Sequence, residues 1–92
     1  MDINLRLLRY FLVVANSLSF SRASENLHIA QSTLSQQIKQ LEALYGVDLF
    51  ARSGKTISLT AEGLALQKSA SQLLTEHDTM YKQLLSIKKG ET

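Results

Sequence analysis

Apolar residues recur at helical spacing along the first half of the chain and predict three helices. In the first helix they include Leu5 and Phe11, which share one face with further apolar residues. The predicted helices cover residues 4–17, 22–27 and 31–45. Asn4 and Ser21 are suitable N-caps for the first two helices, and Gly46 is placed as the left-handed residue that ends the third.

The spacing of apolar residues changes from helical to alternating after the third helix. Val47 and Leu49 alternate with polar residues, as do Ile57 and Leu59, and residues 53–55 between them read Ser-Gly-Lys. Two short alternating runs joined by a glycine-containing turn are typical of a β-hairpin. The sequence therefore predicts a hairpin wing after the three helices.

A long fourth helix is predicted to begin after Thr60, which is a good N-cap, and to run to Lys88. Along it, a heptad seam holds for three repeats, with Tyr81 on its flank. The seam consists of Leu66, Ala70, Leu73, His77, Met80, Leu84 and Ile87. A helix of about 29 residues is about 43 Å long and outreaches a small domain. We therefore expect the seam to form a homodimer with the same helix of a second copy.

Together these elements predict a mainly α fold. Residues 1–60 are expected to form a winged helix-turn-helix, with a core of three helices and a short β-hairpin wing. Residues 61–89 are expected to form a long helix that serves dimerisation.

The predicted third helix has two opposed faces. Its inner face carries Leu34, Ile38, Leu41 and Leu44. The opposite face has hydroxyls, an amide and one cation but no acidic residue, and consists of Ser32, Ser35, Gln36 and Lys39. Serine and glutamine offer donors and acceptors to base edges in the major groove, whereas lysine reaches phosphate. This pattern favours a DNA-binding helix-turn-helix over the alternative, a merely solvated helix face.

Further candidate DNA contacts flank this polar face. They are Gln31 and Thr33 on the third helix, Ser21 and Arg22 at the start of the second, and Arg52, Ser53 and Lys55 on the wing. Gln31 and Gln36 are the best candidates for base edges, because a side-chain amide can bond adenine in two places. Arg22 and Lys39 are expected at phosphates. Arg52 is either a surface charge or a side chain for a narrow A·T-rich minor groove.

Composition limits the alternatives. The 92 residues, 45% hydrophobic and 20% charged, suit one globular domain. The net charge of +2 is small, but residues 1–60 carry six basic and four acidic side chains, so the excess lies where the candidate DNA surface is. One copy should bind DNA weakly and a dimer more tightly. No apolar run approaches a membrane span, and the amino terminus lacks a signal-peptide pattern, so we expect no membrane partner.

No residue pattern predicts an active site, a cofactor site or a metal site. The chain has no cysteine, and His28 and His77 fall on different predicted elements. We find no nucleophile–base pair or phosphate-binding glycine loop, so we expect no enzyme. His28 is expected in a turn, and His77 is either a pH-sensitive seam position or a partly solvated one. The rival to DNA binding is a helical dimer that recruits another protein helix, which the heptad seam alone would support.

Residues 3–65 resemble, in one ungapped run, the amino-terminal region of LysR-type transcriptional regulators. The motifs that carry the resemblance are Tyr10-Phe11, Ser19-Phe20-Ser21 with Ala23, Ala30-Gln31, Leu34-Ser35-Gln36-Gln37-Ile38, Leu41-Glu42 with Gly46, Leu49-Phe50 with Arg52, and Leu59-Thr60 with Gly63. The fourth helix is similar to that family's linker helix. One departure is Ser32, where the family usually has proline, a residue pre-organised for a helix start.

The resemblance implies sequence-specific binding to double-stranded promoter DNA in the bacterial cytoplasm, on the nucleoid. It implies a homodimer joined by the linker helices, with the third helix in the major groove and the wing, through Arg52, at the minor groove. In the family a larger carboxy-terminal domain binds a small-molecule effector, and we expect that domain to be absent from these 92 residues.

Overall fold

Four helices and one two-stranded antiparallel sheet make up the chain in the computed structural model, which describes residues 4–90. The elements are α1 (Leu5–Ser17), α2 (Phe20–Leu27), α3 (Gln31–Tyr45), β1 (Phe50–Ser53), β2 (Thr56–Leu59) and α4 (Ala61–Lys88). This confirms the predicted mainly α fold, a winged helix-turn-helix followed by a long helix. None of the helices in the described part of the chain is long and apolar enough to cross a membrane.

The N-caps of α1 and α2 explain where these helices begin. The Asn4 side chain accepts a hydrogen bond from the backbone N–H of Leu7 at 3.0 Å, as the sequence predicts. The predicted cap of α2 was wrong, because Ser19 and not Ser21 accepts from the backbone N–H of Arg22, at 3.1 Å. The helix begins earlier than predicted because Phe20, its first residue, is drawn into the core and is only 8% exposed.

Left-handed residues end α2 and α3. His28 has φ 57° and Gly46 has φ 70°, so both predictions are confirmed. Between these two positions, Ala30 precedes α3 without any side-chain cap, because it has no side-chain acceptor. The first turn of α3 therefore keeps free N–H groups.

The core lies where α1 meets the other three helices. Its largest fully buried side chains include Leu7, Phe11, Leu34 and Ile38. The rings of Phe11 and Phe50 are 5.4 Å apart between centroids, and this contact joins the wing to the helical core.

The wing is the hairpin of β1 and β2, in which Phe50 pairs with Leu59 and Ser53 with Thr56. Its turn contains Gly54 at φ 62°, a conformation that favours glycine. The strand begins later than the alternating pattern predicts. The backbone N–H of Leu49 donates to the Glu42 carboxylate instead of to a neighbouring strand.

A close backbone approach fixes α4 against the start of the wing. Thr60 caps α4 by accepting from the N–H of Gly63 at 3.0 Å, and it donates its hydroxyl to the Asp48 carbonyl at 2.6 Å. A β-carbon at Gly63 would overlap the carbonyl oxygen of Leu49. Only glycine fits at this contact.

Helix α4 then runs antiparallel to α1. The Gln67 side chain donates to Asn16 at 3.0 Å near one end, and Arg9 pairs with Asp78 at 2.9 Å near the other. At 28 residues, α4 is about 42 Å long. Its last turns extend beyond the Arg9–Asp78 pair, and Leu84 and Ile87 are exposed there.

Candidate nucleic-acid interface

The two faces of α3 differ in burial as well as in residue type, because the apolar face is buried and the polar face is mostly exposed. Leu34, Ile38 and Leu41 are buried. The opposite side, which we call the reader face, consists of Gln31, Ser32, Thr33, Gln36 and Lys39, which are exposed, and Ser35, which is half-buried. No acidic side chain belongs to this face, so it presents neutral donors and acceptors with one cation to solvent.

The start of α2 lies beside the first turn of α3. Ser21 and Arg22 are both exposed there. The capping hydroxyl belongs to Ser19, so the Ser21 hydroxyl remains available for a ligand. The positive end of the α2 dipole and the Arg22 charge both suit a phosphate at this position.

The three candidate residues of the wing, Arg52, Ser53 and Lys55, are exposed. The guanidinium carbon of Arg52 lies 4.9 Å from the centroid of the Phe20 ring. This contact holds the outer part of the wing against the first residue of α2.

A groove of about 470 Å³ separates the wing from the helices, and it brings together residues that are far apart in sequence. Its polar lining consists of Ser19, Ser21, Gln31, Arg52, Lys55 and Thr56. Lys39 is not part of it. Lys39 lies further along α3, in a depression that it shares with Glu42 and Asp48.

Glu42 is a positioning residue that the sequence reasoning missed. Its carboxylate accepts from the backbone N–H groups of Leu49 at 2.7 Å and Phe50 at 3.3 Å. These bonds tie the entry to the wing directly to the reader helix. The sequence does contain a signal for this role. An acidic residue in the last turn of a helix interacts unfavourably with the helix dipole, so it is more stable when N–H groups from elsewhere bind it.

The basic side chains around the groove have no acidic partner. Within residues 4–90, the ion pairs are confined to Arg9, His77 and Asp78 on the α1–α4 side of the molecule. The hydrogen bond from Arg9 lowers the pKa of Asp78 below its usual value. Arg22 and Arg52 are therefore available for external anions.

The heptad seam of α4 lies partly in the core of its own chain and partly at the surface. Ala70 is 2% exposed and Leu66 is half-buried, and both pack within the core of their own chain. The predicted dimerisation role of Ala70 stays a prediction, and within one copy this side chain already lies in the core. The seam residues that remain exposed, with Tyr81 beside them, are Leu73, Met80, Leu84 and Ile87. We call these five side chains the exposed stripe.

His77 lies between the two parts of the seam and is half-buried. Its Nδ1 is 3.7 Å from the Asp78 carboxylate, which is beyond hydrogen-bond distance. His28 lies far along the chain, in the turn before α3. Across the described residues, no three histidine or acidic side chains cluster as metal ligands.

Comparison with known proteins agrees with this geometry. The model of the lysR family of bacterial regulatory helix-turn-helix proteins matches residues 5–64. The uncharacterized HTH-type transcriptional regulator YnfL of Escherichia coli is 41% identical over 91 residues, which are 99% of this chain and 31% of that protein. The HTH-type transcriptional regulator XapR of Escherichia coli is 39% identical over 88 residues, which are 96% of this chain and 30% of that protein. The chain thus spans about a third of the length of these relatives, which are named regulators and not enzymes.

Solved structures give the same result. The BenM DNA-binding domain in its complex with catB site 1 DNA superposes with a TM-score of 0.94 and 37% identity, covering 98% of this chain and 97% of that one. The CbnR DNA-binding domain in its DNA complex superposes with a TM-score of 0.87 and 32% identity, covering 92% of this chain and 98% of that one. The chain belongs to the lysR family of bacterial helix-turn-helix regulatory proteins.

Proposed function

We propose that this chain binds specific sequences in double-stranded promoter DNA as a homodimer. The observation that carries the proposal is the acid-free reader face of α3, which continues into a groove lined by Arg52 and Lys55. An exposed helix of this composition suits the major groove, and two cations without acidic partners suit phosphate and the minor groove. The solved DNA complexes of the BenM and CbnR domains support the same assignment.

Each part of the surface has a distinct role in this proposal. Gln31 and Gln36 read base edges, because their amides offer a donor and an acceptor at once. Arg22 and Lys39 hold phosphates, and Arg52 enters the minor groove. The remaining candidate residues adjust the fit to the DNA backbone and bases. They are the hydroxyl-bearing Ser21, Ser32, Thr33, Ser35 and Ser53 and the second cation of the wing, Lys55.

The homodimer in this proposal forms through the exposed stripe of α4. Leu84 and Tyr81 are each 57% exposed, and neighbouring apolar side chains extend the stripe along the helix. Apolar side chains at heptad spacing are stabilised when a second helix covers them. A two-fold dimer places two reader helices on one face of DNA and so recognises an inverted repeat.

In the complete protein, we propose that a larger carboxy-terminal domain binds a small-molecule effector. This part of the proposal rests on membership of the family and on the share of the relatives' length that this chain covers. The site of action is the chromosome in the bacterial cytoplasm.

Selection of bound sequences from a random DNA pool, at about physiological salt, tests DNA recognition. We expect an inverted repeat with A·T-rich flanks. Binding without an enriched motif would mean that the surface grips phosphate only. Absence of binding would favour the rival function, a helical dimer that recruits another protein.

The variant Gln36→Ala tests the base contact within that experiment. A bidentate amide–adenine pair contributes about 1–3 kcal/mol of discrimination, so we expect about a 5- to 150-fold loss of preference at one position of each half-site. Gln72→Ala, on an exposed position of α4, is the matched control and should leave the motif unchanged. If Gln36→Ala keeps the original motif, Gln36 does not read a base.

A further inference from the structure

We infer that Phe20 is a positioning residue for DNA recognition: its ring holds the Arg52 guanidinium at the mouth of the groove, ready to enter a narrow minor groove. This inference rests on the proposed role of Arg52 and adds the residue that controls it. Phe20 does not contact DNA in this inference. It acts through the arginine that it supports.

A row of aromatic contacts fixes the ring. Phe20 is 8% exposed, and its ring meets Phe50 edge-on, with 5.9 Å between centroids and 63° between the planes. Phe50 contacts Phe11 at 5.4 Å, and Phe11 is fully buried. The ring beneath the guanidinium is therefore anchored through two aromatic contacts to the centre of the core.

Arg52 itself has little else to hold it. It lies on an exposed edge of a two-stranded hairpin and has no acidic partner within residues 4–90. The contact with Phe20, at 4.9 Å from the guanidinium carbon to the ring centroid, restricts a long side chain that otherwise samples many rotamers. Restricting it before binding reduces the entropy lost when it enters DNA.

The contact also leaves the binding groups of the arginine free. Phe20 offers the guanidinium a ring and no hydrogen-bond acceptor, so this contact does not use up the N–H donors of Arg52. Those donors remain available to the acceptors on the floor of an A·T-rich minor groove. Because the narrow groove also has a strongly negative potential, correct placement of this charge favours A·T flanks over G·C flanks.

The location of Phe20 gives the contact a second consequence. Phe20 is the first residue of α2, next to the exposed Ser21 and Arg22. The ring thus fixes the distance between the minor-groove arginine and the helix end proposed to hold phosphate. Loss of the ring should change selectivity between flanks more than it changes the salt dependence of binding, since the phosphate contacts remain.

A double-mutant cycle tests the inference. Phe20→Leu keeps an apolar side chain but removes the aromatic face, and Arg52→Ala removes the guanidinium. The affinity of the wild type, both single variants and the double variant is measured for two duplexes that share one half-site motif but have A·T or G·C flanks. We expect Phe20→Leu to reduce the preference for A·T flanks about two- to fivefold per copy, and to have no further effect once Arg52 is alanine.

Two further measurements separate positioning from general packing. Phe20→Tyr keeps the ring face and should retain the preference for A·T flanks. In the free wild-type protein, NMR should show ring-current shifts of the Arg52 side-chain protons, and this readout needs neither DNA nor a variant.

Three results would overturn the inference. The first is an equal loss of affinity for both duplexes from Phe20→Leu, whether or not Arg52 is present, because that is the signature of packing alone. The second is Arg52 side-chain protons at unperturbed shifts in the free protein. The third is an Arg52→Ala variant with unchanged flank preference. This result would refute the proposed minor-groove role of Arg52 itself, whereas the first two results would refute only the positioning role of Phe20.

Discussion

Replacing Leu84 with alanine should weaken the proposed homodimer without disturbing the fold of a single copy. Leu84 belongs to the exposed stripe and lies beyond the Arg9–Asp78 pair, the outermost polar contact between α4 and α1. Alanine has the highest helix propensity, so α4 should remain a helix. The substitution therefore removes apolar surface mainly from the proposed interface.

The size of the effect follows from the exposed fraction of Leu84. Burying a whole leucine side chain contributes about 1.5–3 kcal/mol. Since 57% of Leu84 is exposed in one copy, its burial in a dimer contributes about 0.9–1.7 kcal/mol. A two-fold dimer loses the side chain twice, which gives about 1.7–3.4 kcal/mol. The Kd of the dimer should rise about 20- to 300-fold.

Sedimentation equilibrium over a concentration series measures this Kd. Leu64→Ala is the matched control, because Leu64 is also 57% exposed and lies on α4 about 200° away around the helix axis. We expect the control to dimerise like the wild type. Equal shifts in both variants, or unchanged dimerisation in both, would refute the assignment of the interface to the exposed stripe.

Three further predictions concern the stability of one copy. Gly63→Ala should lower the free energy of unfolding by about 1–3 kcal/mol, because the new methyl group must displace the Leu49 carbonyl, and an unchanged urea midpoint would contradict this close contact. Ala30→Ser should raise the free energy of unfolding by about 1 kcal/mol by capping α3, and urea denaturation that shows no gain would count against a missing cap. The hydrogen bond from Arg9 lowers the pKa of Asp78 below its usual 3.8, so the stabilisation by this carboxylate is present above pH 3.8 and is lost as the pH falls through the lower folded value. Thermal melting of the wild type and Asp78→Asn should therefore differ at neutral pH and converge in acid, whereas a difference independent of pH would refute the sign.

The helices were predictable because their signals are local. Asn4 and Thr60 cap helices as the sequence predicts, and Gly46 ends α3 in the left-handed conformation. Capping needs only a side-chain oxygen and an N–H group two or three residues away, so it depends mostly on neighbouring residues. The exception was the start of α2. There the burial of Phe20 moved the cap to Ser19.

Which parts of a helix face are buried and which are exposed could not be predicted from the spacing of apolar residues. The heptad pattern placed Ala70 and Leu84 on one seam, yet Ala70 is buried in the core of its own chain and Leu84 is exposed. Spacing tells which residues share a face of a helix, but it contains no information about where a neighbouring element ends. The same limit hid the bonds from the Glu42 carboxylate to the wing, which connect residues seven and eight positions apart across an irregular segment.

The order of the elements, the polar reader face of α3 and the family could be predicted from the sequence alone, because periodicity, caps and motifs lie in consecutive residues. Which side chains meet around the groove, above all the contact between Phe20 and Arg52, emerged only from the folded chain. Such contacts depend on the angles at which α2, α3 and the wing pack. Those angles are set by the shape of the whole core, and no local stretch of residues specifies them.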